Sequence, residues 1–83
     1  GALMLQIVVF GASGDLAHRK TFPALFSLFR HNSLAFDFAI YGYARSRLGT
    51  EEFRQSLYPT LVKQTTDDAI IWEFLNQCHF VSG

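Results

Sequence analysis

Residues 4–20 read MLQIVVFGASGDLAHRK, and they predict how the chain begins to fold. The first seven are apolar apart from one glutamine and rich in β-branched side chains, which is typical of a strand covered on both faces. That strand ends at Gly11, and after Gly14 the apolar residues follow a helical spacing. A buried strand, a glycine turn and a helix in this order indicate a sheet of alternating strands and helices.

The helix after the glycine turn is apolar on nearly all sides, so we expect it to lie buried against a sheet. Pro23 has no backbone N–H and fits badly inside a helix. The sequence therefore predicts either a kink, or a first turn over residues 15–19 followed by a helix that Thr21 caps. Residues 31–33, which read HNS, would end this helix.

Residues 38–43 predict a second strand, because they combine aromatic and β-branched side chains. Strands joined by a helix of this length pair in parallel. Thr50 is a candidate helix N-cap, with two glutamates directly behind it. Three apolar residues then follow at intervals of four, namely Phe53, Leu57 and Leu61. Pro59 falls within this pattern and should bend or end the helix.

Residues 66–68 offer a further helix cap, and residues 78–81 predict a short third strand. The helix between them has an apolar face made of Ile70, Ile71, Phe74 and Leu75. The order β-α-β-α-α-β predicts an α/β fold, the first half of a Rossmann-like, doubly wound parallel sheet. Residues 1–83 would form one partial domain whose first strand is an open apolar edge, and we expect self-association through that edge.

The composition excludes several classes of protein. The 83 residues are 49% hydrophobic and 16% aromatic, with seven basic and seven acidic side chains. These values exclude a disordered chain and argue against a nucleic-acid partner. The uncharged stretch at residues 1–14 is too short to span a membrane, so no membrane partner is expected. The single cysteine, Cys78, allows no internal disulfide, which favours a buried thiol in a cytoplasmic protein.

The glycine turn is the strongest candidate for a binding site. Gly11 would permit the tight turn off the strand, Gly14 would let an anionic group approach the backbone, and the small Ala17 would let the helix pack closely on the sheet. The helix N-terminus adds unpaired N–H groups that bind phosphate. The spacing differs from the usual G-x-G-x-x-G, and a simple strand-to-helix turn is the alternative interpretation.

The residues after the second strand indicate which dinucleotide would bind. An acidic residue there holds the ribose 2′-hydroxyl of NAD, whereas an arginine accepts the 2′-phosphate of NADP. Arg45 occupies this place and predicts NADP, with the hydroxyls of Ser13 and Ser46 as helpers. Arg47 is more typical of a solvated loop residue. Asp37 precedes the strand and would lie at the wrong end of it.

Other chemistry has less support in the sequence. The three histidines, His18, His31 and His79, lack the spacing of metal ligands, so no metal site is expected. An exposed position on the helix surface is expected for His18. The sequence GASGD lacks the fifth-position glycine of a nucleophile elbow. The aromatic residues between positions 22 and 38 suit a core better than a platform for stacking bases.

Two longer blocks, GASGDLAHRKTFPALFSLF at residues 11–29 and AIYGYARSRL at residues 39–48, closely resemble the coenzyme domain of the glucose-6-phosphate dehydrogenase family. The likeness continues through EEFR and TDDAIIWEFLNQCHFVSG and covers nearly the whole chain. It implies an NADP-dependent dehydrogenase that oxidises glucose 6-phosphate at C1 to 6-phosphogluconolactone, the first step of the oxidative pentose phosphate pathway.

The resemblance also implies roles for single residues. Arg45 would hold the 2′-phosphate of NADP, and Lys20 would help to bind the phosphate of the sugar. His18 stands where relatives commonly carry lysine, so a phosphate contact there would depend on pH. The loop that would cradle the pyrophosphate of the cofactor comprises Gly11, Ala12, Ser13, Gly14, Asp15, Leu16 and Ala17.

Members of this family are several times longer, and their catalytic residues lie downstream of the point that corresponds to Gly83. None of the three histidines corresponds to the catalytic one, so we expect no catalytic residue in residues 1–83 and no turnover by them alone. The longer enzyme would be a homo-oligomer. Two alternatives are a non-catalytic NADP-binding or protein-interaction module on half a Rossmann fold, and a helical adaptor whose glycine turn binds nothing.

Overall fold

The computed structural model describes residues 4–31 and 37–83. Its elements in chain order are β1 (Met4–Phe10), a π-helical turn (Ala17–Thr21), α1 (Phe22–Arg30), β2 (Asp37–Ala44), α2 (Thr50–Leu61), α3 (Asp68–Leu75) and β3 (Cys78–Ser82). The predicted order of strands and helices is confirmed.

The three strands form one parallel sheet with β2 at its centre. β1 pairs with β2 over its full length, with Phe10 opposite Tyr43. β3 pairs with the second half of β2, with Ser82 opposite Ala44. Because all three strands run in the same direction, the loops that follow them meet at one edge of the sheet.

One face of the sheet packs against the helices, and the core lies between them. The ring of Phe38 lies 5.5 Å from that of Phe29 on α1, and the ring of Phe80 lies 5.0 Å from that of Phe53 on α2. The buried core comprises Val9, Ala12, Ala17, Phe22, Phe26, Phe38, Ile40, Phe53, Leu57, Leu61, Ile71, Phe74, Leu75, Cys78 and Phe80. The aromatic residues described between positions 22 and 38 therefore belong to the core, as predicted.

The opposite face of the sheet carries apolar side chains that are partly exposed. Phe10 is 81% exposed and Val8 is 48% exposed, although the rings of Phe10 and Tyr43 lie 5.9 Å apart. Within residues 4–31 and 37–83, β1 pairs with β2 alone and is an edge strand. The predicted open apolar edge is present.

The chain stays helical past Pro23, so the predicted separate first turn over residues 15–19 is wrong, while the predicted kink stays a prediction. Residues 15–16 are helical, the wider π turn follows, and the N–H of Phe22 donates to the carbonyl of Ala17 five residues back. Thr21 has helical dihedral angles and makes no side-chain cap, so the predicted cap is wrong. Pro23 cannot donate to the preceding turn, and a change of hydrogen-bond spacing beside it lets the helix continue.

The ends of α1 and α2 differ in part from the prediction. α1 ends at Arg30, while positions 32 and 33 of its predicted end lie outside the described residues. The N-cap of α2 is Gly49, not Thr50, and the Gly49 N–H donates to Glu52 Oε1 at 3.3 Å. Thr50 instead accepts the N–H of Phe80 at 3.4 Å, because β3 lies beside the start of the helix.

Pro59 does not stop α2, which continues to Leu61. Only two residues follow Pro59 in this helix, so the hydrogen bond that it removes lies in the last turn. The predicted apolar stripe of α2 is confirmed, since Phe53, Leu57 and Leu61 are all buried.

The third helix begins as predicted, with the side chain of Asp67 accepting the N–H of Ile70 at 3.3 Å. The Tyr58 hydroxyl of α2 donates to the carboxylate of Asp68, and this hydrogen bond raises the pKa of Tyr58. Cys78 at the start of β3 is buried, and burial raises the pKa of its thiol to about 12. Cys78 is therefore a small core residue, as predicted, and not a reactive thiolate.

Helices α1, α2 and α3 have 9, 12 and 8 residues. None of the helices in the part of the chain that the structure describes is long and apolar enough to cross a bilayer.

Candidate functional site

The glycine turn leaves β1 by a tight reversal of the backbone. Gly11 has a φ of 67°, in the left-handed region that residues with a Cβ seldom adopt. The Ala12 N–H donates to the carbonyl of Tyr43 at 3.1 Å, and the Gly14 N–H donates to the carbonyl of Gly11 at 2.9 Å. The turn is therefore fixed both to itself and to the end of β2.

A helix begins directly after the turn, at residue 15. Its first backbone hydrogen bond joins the His18 N–H to the carbonyl of Gly14 at 3.2 Å. The N–H groups before it have no partner within the helix and carry its positive dipole end. Ala17 is buried in the core, which confirms that a small residue lets this helix pack closely. Asp15 and Leu16 are exposed, and Asp15 pairs with Arg19 at 3.4 Å.

The structure brings the glycine turn together with the residues that follow β2. Ser13 Oγ lies 2.9 Å from Ser46 Oγ, which joins the two loops directly. The carbonyl of Ser46 accepts the hydroxyl of Ser82 at 2.9 Å, which fixes this loop to the end of β3. Arg45, one residue before this junction, is exposed.

The charge of Arg45 is available to a ligand. Within residues 4–31 and 37–83, the ion pairs are Asp15 with Arg19 and Glu51 with Arg54, and neither involves Arg45. Asp37 is paired in register with Met4, at the other end of β1 from the glycine turn. Its position agrees with the prediction that it lies at the wrong end of the strand to hold a ribose.

The structure also places His18 and Lys20, of which His18 differs from its prediction. His18 is half-buried, not exposed: its Nδ1 donates to the carbonyl of Gly14 at 3.1 Å, and its Nε2 lies 3.0 Å from Ser56 Oγ on α2. His18 therefore supports the turn from behind. Lys20 lines a groove together with Thr60 of α2 and Lys63, and its predicted contact with the sugar phosphate stays a prediction.

Sequence reasoning missed two supports of the turn, Ser56 and Gly42. The Ser56–His18 contact joins residues 38 positions apart, and no spacing rule predicts it. Gly42 lies in β2 where a Cβ would stand 2.7 Å from the Cβ of Ala12 and 3.2 Å from Cζ of Phe53. A glycine inside a strand, which indicates close approach of another group, was the available signal.

We predict that Gly42→Ala lowers the free energy of unfolding by about 2 kcal/mol, because the new methyl group must displace Ala12 or Phe53. Urea denaturation followed by circular dichroism measures the change. Gly83→Ala is the matched control, since a Cβ there meets no atom within 4 Å. Equal unfolding midpoints for the two variants would contradict the prediction.

No grouping of three His, Cys, Asp or Glu side chains suited to a metal occurs among the described residues. The arrangement instead suits an anionic ligand, because the turn offers exposed backbone and a helix N-terminus, and the exposed Arg45 directly precedes Ser46, which contacts the turn. The predicted dinucleotide residues therefore lie at the carboxyl edge of the sheet, where the turn meets the loop that holds Arg45 and Ser46.

Known proteins match both the sequence and the fold. The family model described as "Glucose-6-phosphate dehydrogenase, NAD binding domain" matches residues 8–83. The glucose-6-phosphate 1-dehydrogenase of Cyberlindnera jadinii is 49% identical over 78 residues, covering 94% of this chain and 15% of that protein. The glucose-6-phosphate 1-dehydrogenase of Saccharomyces cerevisiae is 48% identical over 80 residues, covering 93% of this chain and 16% of that protein.

A solved structure described as glucose-6-phosphate dehydrogenase in complex with its substrate glucose-6-phosphate is similar in fold, with a TM-score of 0.83 and 39% identity. It covers 100% of this chain, which in turn spans 18% of that protein. The match confirms the predicted Rossmann-like α/β fold, and the chain spans about one sixth of the two curated relatives. The chain therefore belongs to the nicotinamide dinucleotide-binding domain family of glucose-6-phosphate dehydrogenase.

Proposed function

We propose that the chain binds NADP, with the diphosphate at residues 11–17 and the 2′-phosphate at Arg45. The Ser13–Ser46 contact is the observation that carries the proposal, because it holds the turn and the loop after β2 side by side. A dinucleotide has to reach both places at once, since its diphosphate and its adenosine ribose are joined.

The residues of the turn fit such a cofactor. The positive φ at residue 11 favours glycine, and Ala12 beside it is buried. Ser13 and Gly14 are exposed, so the ligand side of the turn presents backbone and one hydroxyl. Ser13 and Ser46 add two hydroxyl groups, and Arg45 directly precedes Ser46 in the chain. When bound, the nicotinamide supplies the hydride acceptor, and this chain supplies binding and orientation.

The chain is proposed to be part of a longer enzyme that oxidises glucose 6-phosphate to 6-phosphogluconolactone, the first step of the oxidative pentose phosphate pathway. The names of the relatives support this reaction, and the solved relative is described with glucose 6-phosphate as its substrate. Lys20 is proposed to contribute to binding the sugar phosphate. The longer enzyme is proposed to be a cytoplasmic homo-oligomer, without a nucleic-acid or membrane partner.

Isothermal titration of the chain with NADP and with NAD tests the proposal. Tighter binding of NADP is expected, and equal affinities would overturn the assignment of Arg45. A folded chain that binds neither nucleotide would overturn the whole proposal in favour of an interaction module, a function that the exposed apolar face around Val8 and Phe10 supports.

We expect no NADPH when the chain alone is mixed with NADP and glucose 6-phosphate. Formation of NADPH would contradict the proposal that the catalytic residues lie outside residues 1–83.

We predict that the chain self-associates through the free edge of β1, where Leu5 and Val8 are 43% and 48% exposed. Sedimentation velocity should show a species heavier than the monomer whose share grows with concentration. Val8→Lys should reduce it, because a charge on an edge strand opposes pairing. Leu28→Lys, at an exposed position on α1, is the matched control. A wild-type chain that stays monomeric at every concentration would contradict the prediction.

A further inference from the structure

His18 lies between the glycine turn and α2, and both nitrogens of its ring have partners. Nδ1 lies 3.1 Å from the carbonyl oxygen of Gly14, and Nε2 lies 3.0 Å from Ser56 Oγ. The ring also packs edge-on against the ring of Phe53, with 6.2 Å between the centroids. The imidazole is therefore held in place from two separate parts of the chain.

Both partners of this ring act as hydrogen-bond acceptors. A carbonyl oxygen can only accept, so Nδ1 must carry a proton. The hydroxyl of Ser56 donates its single proton to the carbonyl of Phe53 at 2.6 Å, and its oxygen is left to accept from Nε2. The neutral ring has one N–H, whereas the imidazolium has two. The hydrogen bonds around His18 therefore fit its protonated form.

The charge of this ring is not balanced by an ion pair among residues 4–31 and 37–83, since neither of the pairs found there includes His18. The charged side chains on the two elements around it are Asp15, Arg19 and Lys20 on its own segment and Glu51, Glu52 and Arg54 on α2. The three acidic groups are engaged by other partners, namely Arg19, the backbone N–H of Gly49 and Arg54. The two acceptors are therefore the groups that distinguish the charged ring from the neutral one.

The Gly14 carbonyl that His18 holds belongs to the peptide that opens the helix. It accepts both the Nδ1–H and the backbone N–H of His18, at 3.1 and 3.2 Å. In a planar trans peptide the C=O and the N–H that follows it point in opposite directions. The N–H of Asp15 is therefore directed out of the start of the helix, where it precedes the first helical hydrogen bond and can meet an anionic ligand.

We propose that His18 is a positioning residue for the dinucleotide, whose protonated ring ties the glycine turn to α2 and fixes the N–H of Asp15 toward the diphosphate. Loss of the proton removes one of the two ring donors and the positive charge behind the turn, and the Ser56 hydroxyl must then turn away from Phe53 to keep its contact. Dinucleotide binding is therefore coupled to protonation of His18. The affinity falls as pH rises through the range in which histidine titrates. The inference rests on the proposed NADP site, because the diphosphate is the group that the turn would bind.

Isothermal titration with NADP at about pH 6 and about pH 8, on the wild type and on His18→Gln, tests this coupling. The ratio of the wild-type affinity to that of the variant should fall about fivefold between the two pH values, the effect of one partly exposed charge. The ratio cancels the titration of the nucleotide's own phosphate, which is common to both proteins. His31→Gln is the matched control, because His31 Nδ1 also lies 2.8 Å from a carbonyl four residues back but at the other end of α1. The control should keep the wild-type pH profile.

The ¹⁵N shifts of the imidazole nitrogens give a second readout, which needs no variant and so holds even if His18→Gln does not fold. Saturating NADP at about pH 7 should raise the imidazolium fraction of His18 and leave that of His31 unchanged, because binding takes up a proton at His18. Ser56→Ala removes the acceptor at Nε2 from an exposed position and should lessen this uptake.

The same pH profile in the wild type and in His18→Gln would overturn the inference and leave the NADP site standing. An imidazolium fraction of His18 that does not change when NADP binds would have the same meaning. A folded chain that binds no NADP at either pH would instead overturn the proposed function, and the inference with it, so the two failures are distinguishable.

Discussion

Arg45→Ala is expected to weaken NADP binding by roughly 10- to 150-fold and to leave NAD binding nearly unchanged. The range corresponds to about 1.5 to 3 kcal/mol, the contribution of a hydrogen bond to a charged group. Arg45 follows β2 directly, is exposed and takes part in neither ion pair of the described residues. Its guanidinium is therefore not already engaged by a carboxylate, and the 2′-phosphate that NAD lacks is the group it would hold.

Isothermal titration with both nucleotides measures the effect, and the ratio of the two affinities is the quantity of interest. Arg47→Ala is the matched control, because it removes the same charge from the same loop at a position not assigned to the ligand. Comparable losses for the two nucleotides would mean that Arg45 acts on the common diphosphate or on the loop. Comparable losses in the two variants would mean that net charge alone is responsible.

Phe53→Ala is expected to lower the free energy of unfolding by about 3 to 5 kcal/mol, which a small domain barely tolerates. Phe53 is fully buried, and its ring lies 5.4 Å from that of Phe22 and 5.0 Å from that of Phe80. It also packs beside the imidazole of His18, with 6.2 Å between ring centroids. Its removal would therefore open a cavity in the core directly behind the glycine turn.

Urea denaturation at low protein concentration measures this loss of stability. Phe10→Ala is the control, since Phe10 is 81% exposed and substitutions at such surface positions usually change stability by less than about 0.5 kcal/mol. Similar unfolding midpoints for the two variants would contradict the packing described for Phe53.

Most of the fold was predictable because each element has a local signature. The β-branched run before Gly11, the stripe of Phe53 on α2 and the cap at Asp67 each depend on residues close in sequence, and each is confirmed. The edge position of β1 also followed from the order of elements. The approach of the glycine turn to Arg45 was predictable because parallel strands end at the same edge.

What could not be predicted depends on contacts between distant parts of the chain. Threonine is a common helix N-cap, but the hydroxyl of Thr50 accepts the backbone N–H of Phe80 in β3, and Gly49 takes the cap position. His18 looked exposed until α2 brought Ser56 to its second nitrogen. The grouping of Lys20 with Lys63 likewise depends on how two helices cross, which residue spacing along either helix does not reveal.

The π turn sets the rotational phase between the glycine turn and the rest of its helix. In an uninterrupted α-helix, positions 17 and 22 would point about 140° apart, yet Ala17 and Phe22 both lie in the core. The wider π turn accommodates one extra residue. One continuous helix can therefore follow the glycine turn and still direct both side chains into the core. Deleting a single residue there would leave these two positions four apart, and an ordinary α-helix would then point them within about 40° of each other, so the wide turn lets the segment hold one more residue while both side chains stay in the core.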